Sequence, residues 1–389
     1  MDQATNDGPR RLPVSLLTGF LGSGKTTVLK HLLAHPAMGM TAVVINEFGE
    51  VGLDHELVET SNEDLVLLSS GCLCCTIRGD LVDTLRALFL RRVRGEIPSF
   101  ERLVIETTGL ADPAPILHTL MTDPLLSARF RLDGVIAVVD AASGAATMDR
   151  QEEAVKQAAV ADRILLTKTD IAPGDAVSSL EWRLRELNPA APIIRVQDGA
   201  VDPWHLFDAG LYDPKTKSLD VQRWLNAEAY SAGDAGHEHG GGHGGHGHHA
   251  GHGHAEHGHD VNRHDDHIKA VCLTLDEPIH AGALELWLFM LQQMKGPDLL
   301  RMKGIVNVMG ARGPVVIHGV QHVFHPSVEL KEWPGADRRN RIVFITRDID
   351  EATLRATLRI FTEAGNAPAQ TGERPPDPAP IRHLEGSTA

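Results

Sequence analysis

The sequence predicts a doubly wound α/β domain with a mostly parallel sheet, followed by a smaller α+β domain, and three observations carry that expectation. Between Pro13 and Trp204 short apolar runs alternate with helical patterns. A tract crowded with histidine then interrupts the chain. Beyond it the order of elements changes to strand, helix, three strands and a helix. A chain of 389 residues also exceeds what one hydrophobic core usually serves, so two domains are expected from length alone.

In the first part, strands are predicted at 14–17, 42–45, 65–68, 103–105, 135–139, 164–166 and 193–196. These runs are almost continuously apolar rather than alternating, as strands are when helices cover both faces of a parallel sheet. Helical patterns at 26–33, 81–93, 113–121, 152–159 and 178–187 supply those covers. Residues 236–267 hold twelve histidines spaced by Gly, Ala and acidic residues. Such a segment has no apolar periodicity with which to bury itself, and reads as an exposed linker. After it, strands are expected at 268–275, 305–309, 314–318 and 341–346, with helices at 282–294 and 351–361. The second and third of these strands read as a hairpin turning at Gly310-Ala311-Arg312-Gly313, within a ferredoxin-like arrangement of altered strand count. The domain reading is therefore a disordered N-terminus at 1–12, a nucleotide-binding domain at 13–211 and a histidine-rich linker at 212–267. A C-terminal domain at 268–364 and a disordered tail at 365–389 complete it.

Chemistry begins at Gly19-Phe20-Leu21-Gly22-Ser23-Gly24-Lys25-Thr26, a Walker A loop between a strand and a helix. Glycines let backbone N–H groups approach a polyphosphate, and the helix N-terminus adds unpaired donors and a favourable dipole. Lys25 is expected at the β- and γ-phosphates and the Thr26 hydroxyl on Mg²⁺, with Gly22, Ser23, Gly24 and Thr27 completing the cradle. The apolar strand that ends in Glu106-Thr107-Thr108-Gly109 reads as Walker B: Glu106 acts on Mg²⁺ and Gly109 N–H senses a γ-phosphate. A third strand runs into Thr167-Lys168-Thr169-Asp170. Guanine offers a ring N–H and an exocyclic amine that one carboxylate can accept together, and adenine does not. Asp170 therefore points to GTP, with the Lys168 stem packed on the base, while Thr167 stands where GTPases have Asn and gives up a supporting contact.

The sequence Gly71-Cys72-Leu73-Cys74-Cys75 crowds three of the four cysteines together. Adjacent cysteines make poor disulfides, whereas thiolates bind Zn²⁺ and Cu⁺ and leave a fourth position open for exchange. Asn46-Glu47-Phe48-Gly49-Glu50 precedes the cysteines and Glu106 follows them, so a metal held there would lie between nucleotide-sensing segments. The histidine tract adds weak, exchangeable imidazole sites.

Taken in this order, the Walker A loop, Asn46-Glu47-x-Gly49, Gly-Cys-x-Cys-Cys, Glu-Thr-Thr-Gly and Thr-Lys-x-Asp resemble the CobW-like GTPases. Arg301-Met302-Lys303-Gly304 and the strand at 341–346 resemble the CobW C-terminal domain. The resemblance implies GTP hydrolysis coupled to delivery of a metal, zinc first and cobalt second, to a client metalloprotein. It assigns nucleotide binding to residues 22–27, Lys168 and Asp170, and metal binding to Cys72, Cys74 and Cys75. Leu110-Ala111 offers no side-chain amide to orient a water, so slow intrinsic turnover is expected, with Glu47 or a partner orienting the nucleophile. Competing readings are a P-loop ATPase or small-molecule kinase, and a non-catalytic zinc store.

The formal net charge of −15 argues against a nucleic-acid partner, since phosphate binding needs clustered Lys and Arg. No long apolar run suggests a membrane span, and the polar first eleven residues do not resemble a signal peptide. With its free thiols the protein is expected in the cytoplasm, and a homodimer is the oligomer to look for.

Overall fold

The computed structural model describes residues 11–46, 58–62, 65–68, 73–76, 80–207, 267–324, 327–333 and 336–366. Strands β1 (Leu12–Thr18), β2 (Thr41–Asn46), β3 (Val58–Asn62), β4 (Leu65–Leu68), β5 (Leu73–Thr76), β6 (Arg102–Thr107), β7 (Phe130–Asp140), β8 (Arg163–Thr167) and β9 (Ile193–Arg195) form one sheet. Its order is β3-β4-β5-β2-β6-β1-β7-β8-β9. From β5 to β9 every neighbouring pair is parallel, and only β3 and β4 at one edge are antiparallel. All of β1 is buried, which is why its sequence is apolar on both faces. Helices α1 (Lys25–Ala34), α2 (Leu81–Val93), α3 (Ala114–Thr122), α4 (Pro124–Arg129), α5 (Gly144–Met148), α6 (Glu152–Ala159) and α7 (Gly174–Leu187) cover the sheet. Among the described residues no helix is long and apolar enough to cross a membrane.

A second, antiparallel sheet follows: β10 (Ile268–Leu275), β11 (Leu299–Val306), β12 (Val315–Val320), β13 (Val323–Phe324), β14 (Val328–Glu329) and β15 (Asn340–Arg347). The order is β10-β15-β11-β12-β13, with β14 on β12. Helix α8 (Ala281–Lys295) connects β10 to β11, which run parallel to each other on either side of β15, and α9 (Glu351–Asn366) ends the described chain. This is the split β-α-β expected of a ferredoxin-like arrangement, and β13 and β14 are the additions.

One predicted strand is corrected. The strand predicted at 305–309 lies earlier in the chain: β11 starts at Leu299 and ends at Val306, so only Ile305 and Val306 of the predicted run belong to it. It pairs with β15 on one side and β12 on the other. Arg301 and Lys303, both buried, hid its start, because charges in a strand interior read as surface. Beyond Val306 the chain leaves the ladder for the hairpin turn, where Glu329 Oε1 accepts from the Arg312 N–H at 2.7 Å.

The two sheets share an apolar seam. Ala158, Ala159 and Ile164 of the first domain lie in one buried cluster with Leu300, Ile305, Val343 and Ile345 of the second. Within it Asp162 pairs with Arg301 and, at 3.0 Å, with Lys303.

Candidate functional site

Parallel strands deliver their loops to one edge of a sheet, and there the predicted motifs meet. β1 ends at Thr18, the loop follows, and α1 starts at Lys25. Gly19, Gly22 and Gly24 have φ of 144°, 73° and 96°, conformations that favour glycine. A Cβ on Gly19 would stand 2.3 Å from Val138 O, so the loop leaves β1 hard against β7. Lys25 Nζ donates to Phe20 O at 3.1 Å across the loop.

Two hard oxygen donors face each other at the N-terminus of α1. The Thr26 hydroxyl donates to Glu106 Oε1 at 3.3 Å, and Glu106 is buried at the end of β6. A hydroxyl and a carboxylate beside a phosphate loop suit Mg²⁺, which takes oxygen ligands and keeps its remaining waters. Next along, Gly109 packs beneath the loop, where an added Cβ would lie 2.6 Å from Leu21 N. Gln157 of α6 donates from Nε2 to Ala111 O at 2.9 Å and Gly109 O at 3.2 Å, pinning the segment behind Glu106.

The Thr167–Asp170 turn arrives from β8. Lys168 takes φ of 57° and donates from Nζ to Gly22 O at 2.8 Å and Asp140 Oδ2 at 2.6 Å. Asp170 is exposed on the same turn. The Thr167 hydroxyl donates to Ser23 O at 2.6 Å and ties this turn to the phosphate loop.

Two contributors escaped the sequence reading. Asp140 ends β7 and steadies Lys168. Burial opposes its charge, but hydrogen bonds from Lys168, Ser143 and the Ala142 N–H outweigh that and hold its carboxyl below the ordinary aspartate range. The signal was present, since β7, like β6, is an apolar strand ending in a carboxylate. The second is the tight turn at 197–200, closed by Ala200 N–H on Gln197 O at 2.8 Å. Its Gly199 comes so near α1 that a Cβ would stand 2.6 Å from Thr27 O.

Gly22, Ser23, Gly24, Lys25, Thr26, Thr27, Glu106, Gly109, Lys168 and Asp170 thus lie on loops, the first turn of α1 and the end of β6, at one edge of the sheet. The backbone of Cys74 and Cys75 lies in β5, opposite Val43 and Val44 of β2. Cys72 and Glu47 fall outside the described residues.

Residues 13–195 match the family model for the CobW/HypB/UreG nucleotide-binding domain. Residues 268–362 match that of the cobalamin synthesis protein cobW C-terminal domain. The zinc chaperone YjiA of Escherichia coli (strain K12) is 32% identical over 347 residues, covering 89% of this chain and 98% of its own. The zinc-regulated GTPase metalloprotein activator 1 of Schizosaccharomyces pombe is 34% identical over 198 residues, 49% of this chain and 47% of its own. A crystal structure of Zn(II)-bound YjiA GTPase from E. coli matches with a TM-score of 0.65 and 31% identity, covering 91% of this chain and 99% of that one.

Proposed function

This chain belongs to the CobW family of P-loop nucleotide-binding proteins, and from that membership we propose that it is a GTPase coupling nucleotide state to the binding and delivery of a transition metal. Zinc is the cargo in this reading, with cobalt second. YjiA is named a zinc chaperone and its solved structure a Zn(II)-bound GTPase, and the yeast relative a metalloprotein activator. The recipient is accordingly a client metalloprotein.

The observation that carries the coupling is one of register. Cys75 stands opposite Val44, and Val44 opposite Ile105, the residue before Glu106. The cysteine strand is therefore two strand spacings, about 10 Å, from the carboxylate strand. β2 lies between them and runs on into the segment that carries Glu47. Cys72, Cys74 and Cys75 supply thiolates, which suit zinc and leave a position for transfer. A metal there and a γ-phosphate at Gly109 would bias the same short stretch of chain.

On the nucleotide side, Lys25 neutralises charge on the transferring phosphoryl group, and Asp170 accepts from guanine while the Lys168 stem packs on the base. Mg²⁺, held by Thr26 and Glu106, supplies charge neutralisation of the β- and γ-phosphates when bound. Leu110 and Ala111 carry no group to orient a water, so turnover is slow until Glu47 or a partner does so.

Zn²⁺ titration with GDP or a non-hydrolysable GTP analogue tests the reading on wild type, Cys74→Ser and a deletion of the histidine tract. The tightest site should respond to nucleotide, survive the deletion and vanish in Cys74→Ser. Zinc affinity blind to nucleotide would leave a store, and preference for ATP over GTP would sink the guanine assignment.

A further inference from the structure

Helix α3 and the turn between β12 and β13 meet where the two domains join, and each brings a histidine. His118 and His322 are both solvent-exposed. Their ring centres lie 5.4 Å apart with the planes tilted by 45°. An imidazole centre sits about 1.1 Å behind its nitrogen, so two imidazoles on one tetrahedral zinc, with Zn–N of about 2.05 Å, have centres about 5.2 Å apart. The observed spacing is within about 0.2 Å of that for two ligands on a single ion.

The structure also holds His322 in place and ties its turn to the start of α3. Gln292 Nε2 donates to His322 O at 2.6 Å. Gly296 presses so closely on this turn that a Cβ there would stand 2.9 Å from His322 Cβ. The preceding Gln321, with φ of 51°, donates from Nε2 to Asp112 Oδ2 at 2.9 Å, just ahead of α3. The two ligand-bearing elements are therefore linked before any metal arrives.

We propose that His118 and His322 form a second transition-metal site, bridging the two domains and taking a borderline divalent cation such as Zn²⁺, Co²⁺ or Ni²⁺. Imidazole nitrogens select this class over Mg²⁺ and Ca²⁺. Among the described residues no group of three or more His, Cys, Asp and Glu is poised around one ion. Solvent must therefore complete the coordination, which makes the ion exchangeable rather than structural. Its location gives it a consequence: α3 follows the 109–113 segment directly, so an ion there ties that segment to the C-terminal domain. The site goes beyond the nucleotide-coupled cysteine reading and stands without it.

The histidine tract would swamp a bulk titration, so the test must resolve single residues. Acylation of the full-length protein by diethylpyrocarbonate, mapped by mass spectrometry as Zn²⁺ is added, does so. In wild type, His118 and His322 should become protected together, while exposed His31 on α1 stays reactive at the same zinc concentration. In His322→Ala, the zinc needed to protect His118 should rise by at least about tenfold, and His118→Ala should do the same to His322. Protection of His118 that is unchanged in His322→Ala overturns the site, and so does acylation of both residues that ignores zinc.

Discussion

At the residue scale, the phosphate loop is held by groups that do not touch phosphate. The Thr167 hydroxyl and the Lys168 ammonium both donate to carbonyls of the loop, at Ser23 and Gly22. Asp140 in turn accepts from Lys168, so this aspartate fixes the lysine on which the base would lie. Asp140→Ala should weaken guanine nucleotide binding about tenfold, the size of one charge-assisted hydrogen bond, with the fold intact; fluorescent-nucleotide titration reads it. Because its folded pKa is depressed, the Asp140 contribution is present above the ordinary carboxylate range and fades only as pH falls through the lower folded value. The glycines separate strain from collision. Gly22 has open space around its missing Cβ, so Gly22→Ala meets only the positive φ, a cost of about 1–2 kcal/mol. Gly19→Ala adds a clash with Val138 O and should abolish nucleotide binding, which the same titration would register as no saturable signal.

At the element scale, β8 and β11 meet through charge inside an apolar seam. Asp162, directly ahead of β8, accepts from the Val135 N–H at 2.9 Å and faces both Arg301 and Lys303 of β11. Burial opposes the charge on Asp162, yet the two cations outweigh it and draw its pKa down to about 2. Lys303 fares differently: burial, and then Arg301, push it down to about 7, although Asp162 pulls the other way. Asp162→Asn should therefore destabilise the protein by about 3–5 kcal/mol, because buried Arg301 loses its counter-charge while Lys303 sheds its proton. Lys303→Met should cost less than about 2 kcal/mol, since Arg301 keeps the carboxylate paired. Between pH 7 and the ordinary lysine range the unfolded chain binds more protons at Lys303 than the folded one. Stability from this residue thus rises with pH in that window, and the gap between wild type and Lys303→Met should widen in favour of wild type from pH 7 to 9. Urea unfolding at the two pH values measures it. The same seam shows what a sequence conceals. β6 and β8 were legible because an apolar run ends in a recognisable motif within a few residues. β11 was not, because what allows Arg301 and Lys303 in a strand interior is a carboxylate that neighbours them only after folding. Gln157 was illegible for a related reason: its partners are backbone carbonyls at Gly109 and Ala111, and carbonyls leave no mark in a sequence.

At the scale of the whole molecule, the stretch behind Glu106 is gripped from two sides. Gln157 holds its carbonyls from within the first domain, and Gln321 holds Asp112 from the second. Asp112 also accepts the Ala114 N–H at 2.9 Å, so the same carboxylate shapes the entry to α3. Gly109 packs so closely against Leu21 of the phosphate loop that an added Cβ would stand 2.6 Å from Leu21 N, which puts the loop and this stretch in direct contact. A change at the phosphate end would then travel through 109–112 to Gln321, and coupling between sites needs such an element with two arrangements that both sites bias. Hydrogen exchange offers the direct measure. Replacing GDP by a GTP analogue should alter exchange at 109–113 and, in step, at 320–323 of the C-terminal domain. Gln321→Ala removes the hydrogen bond to Asp112 that ties the two stretches while leaving the apolar seam of Leu300, Ile305 and Val343 intact. The response at 109–113 should persist in that variant and the response at 320–323 should be lost. If both stretches still respond together, the message crosses by the packed seam instead, and Gln321 serves only to seat the turn.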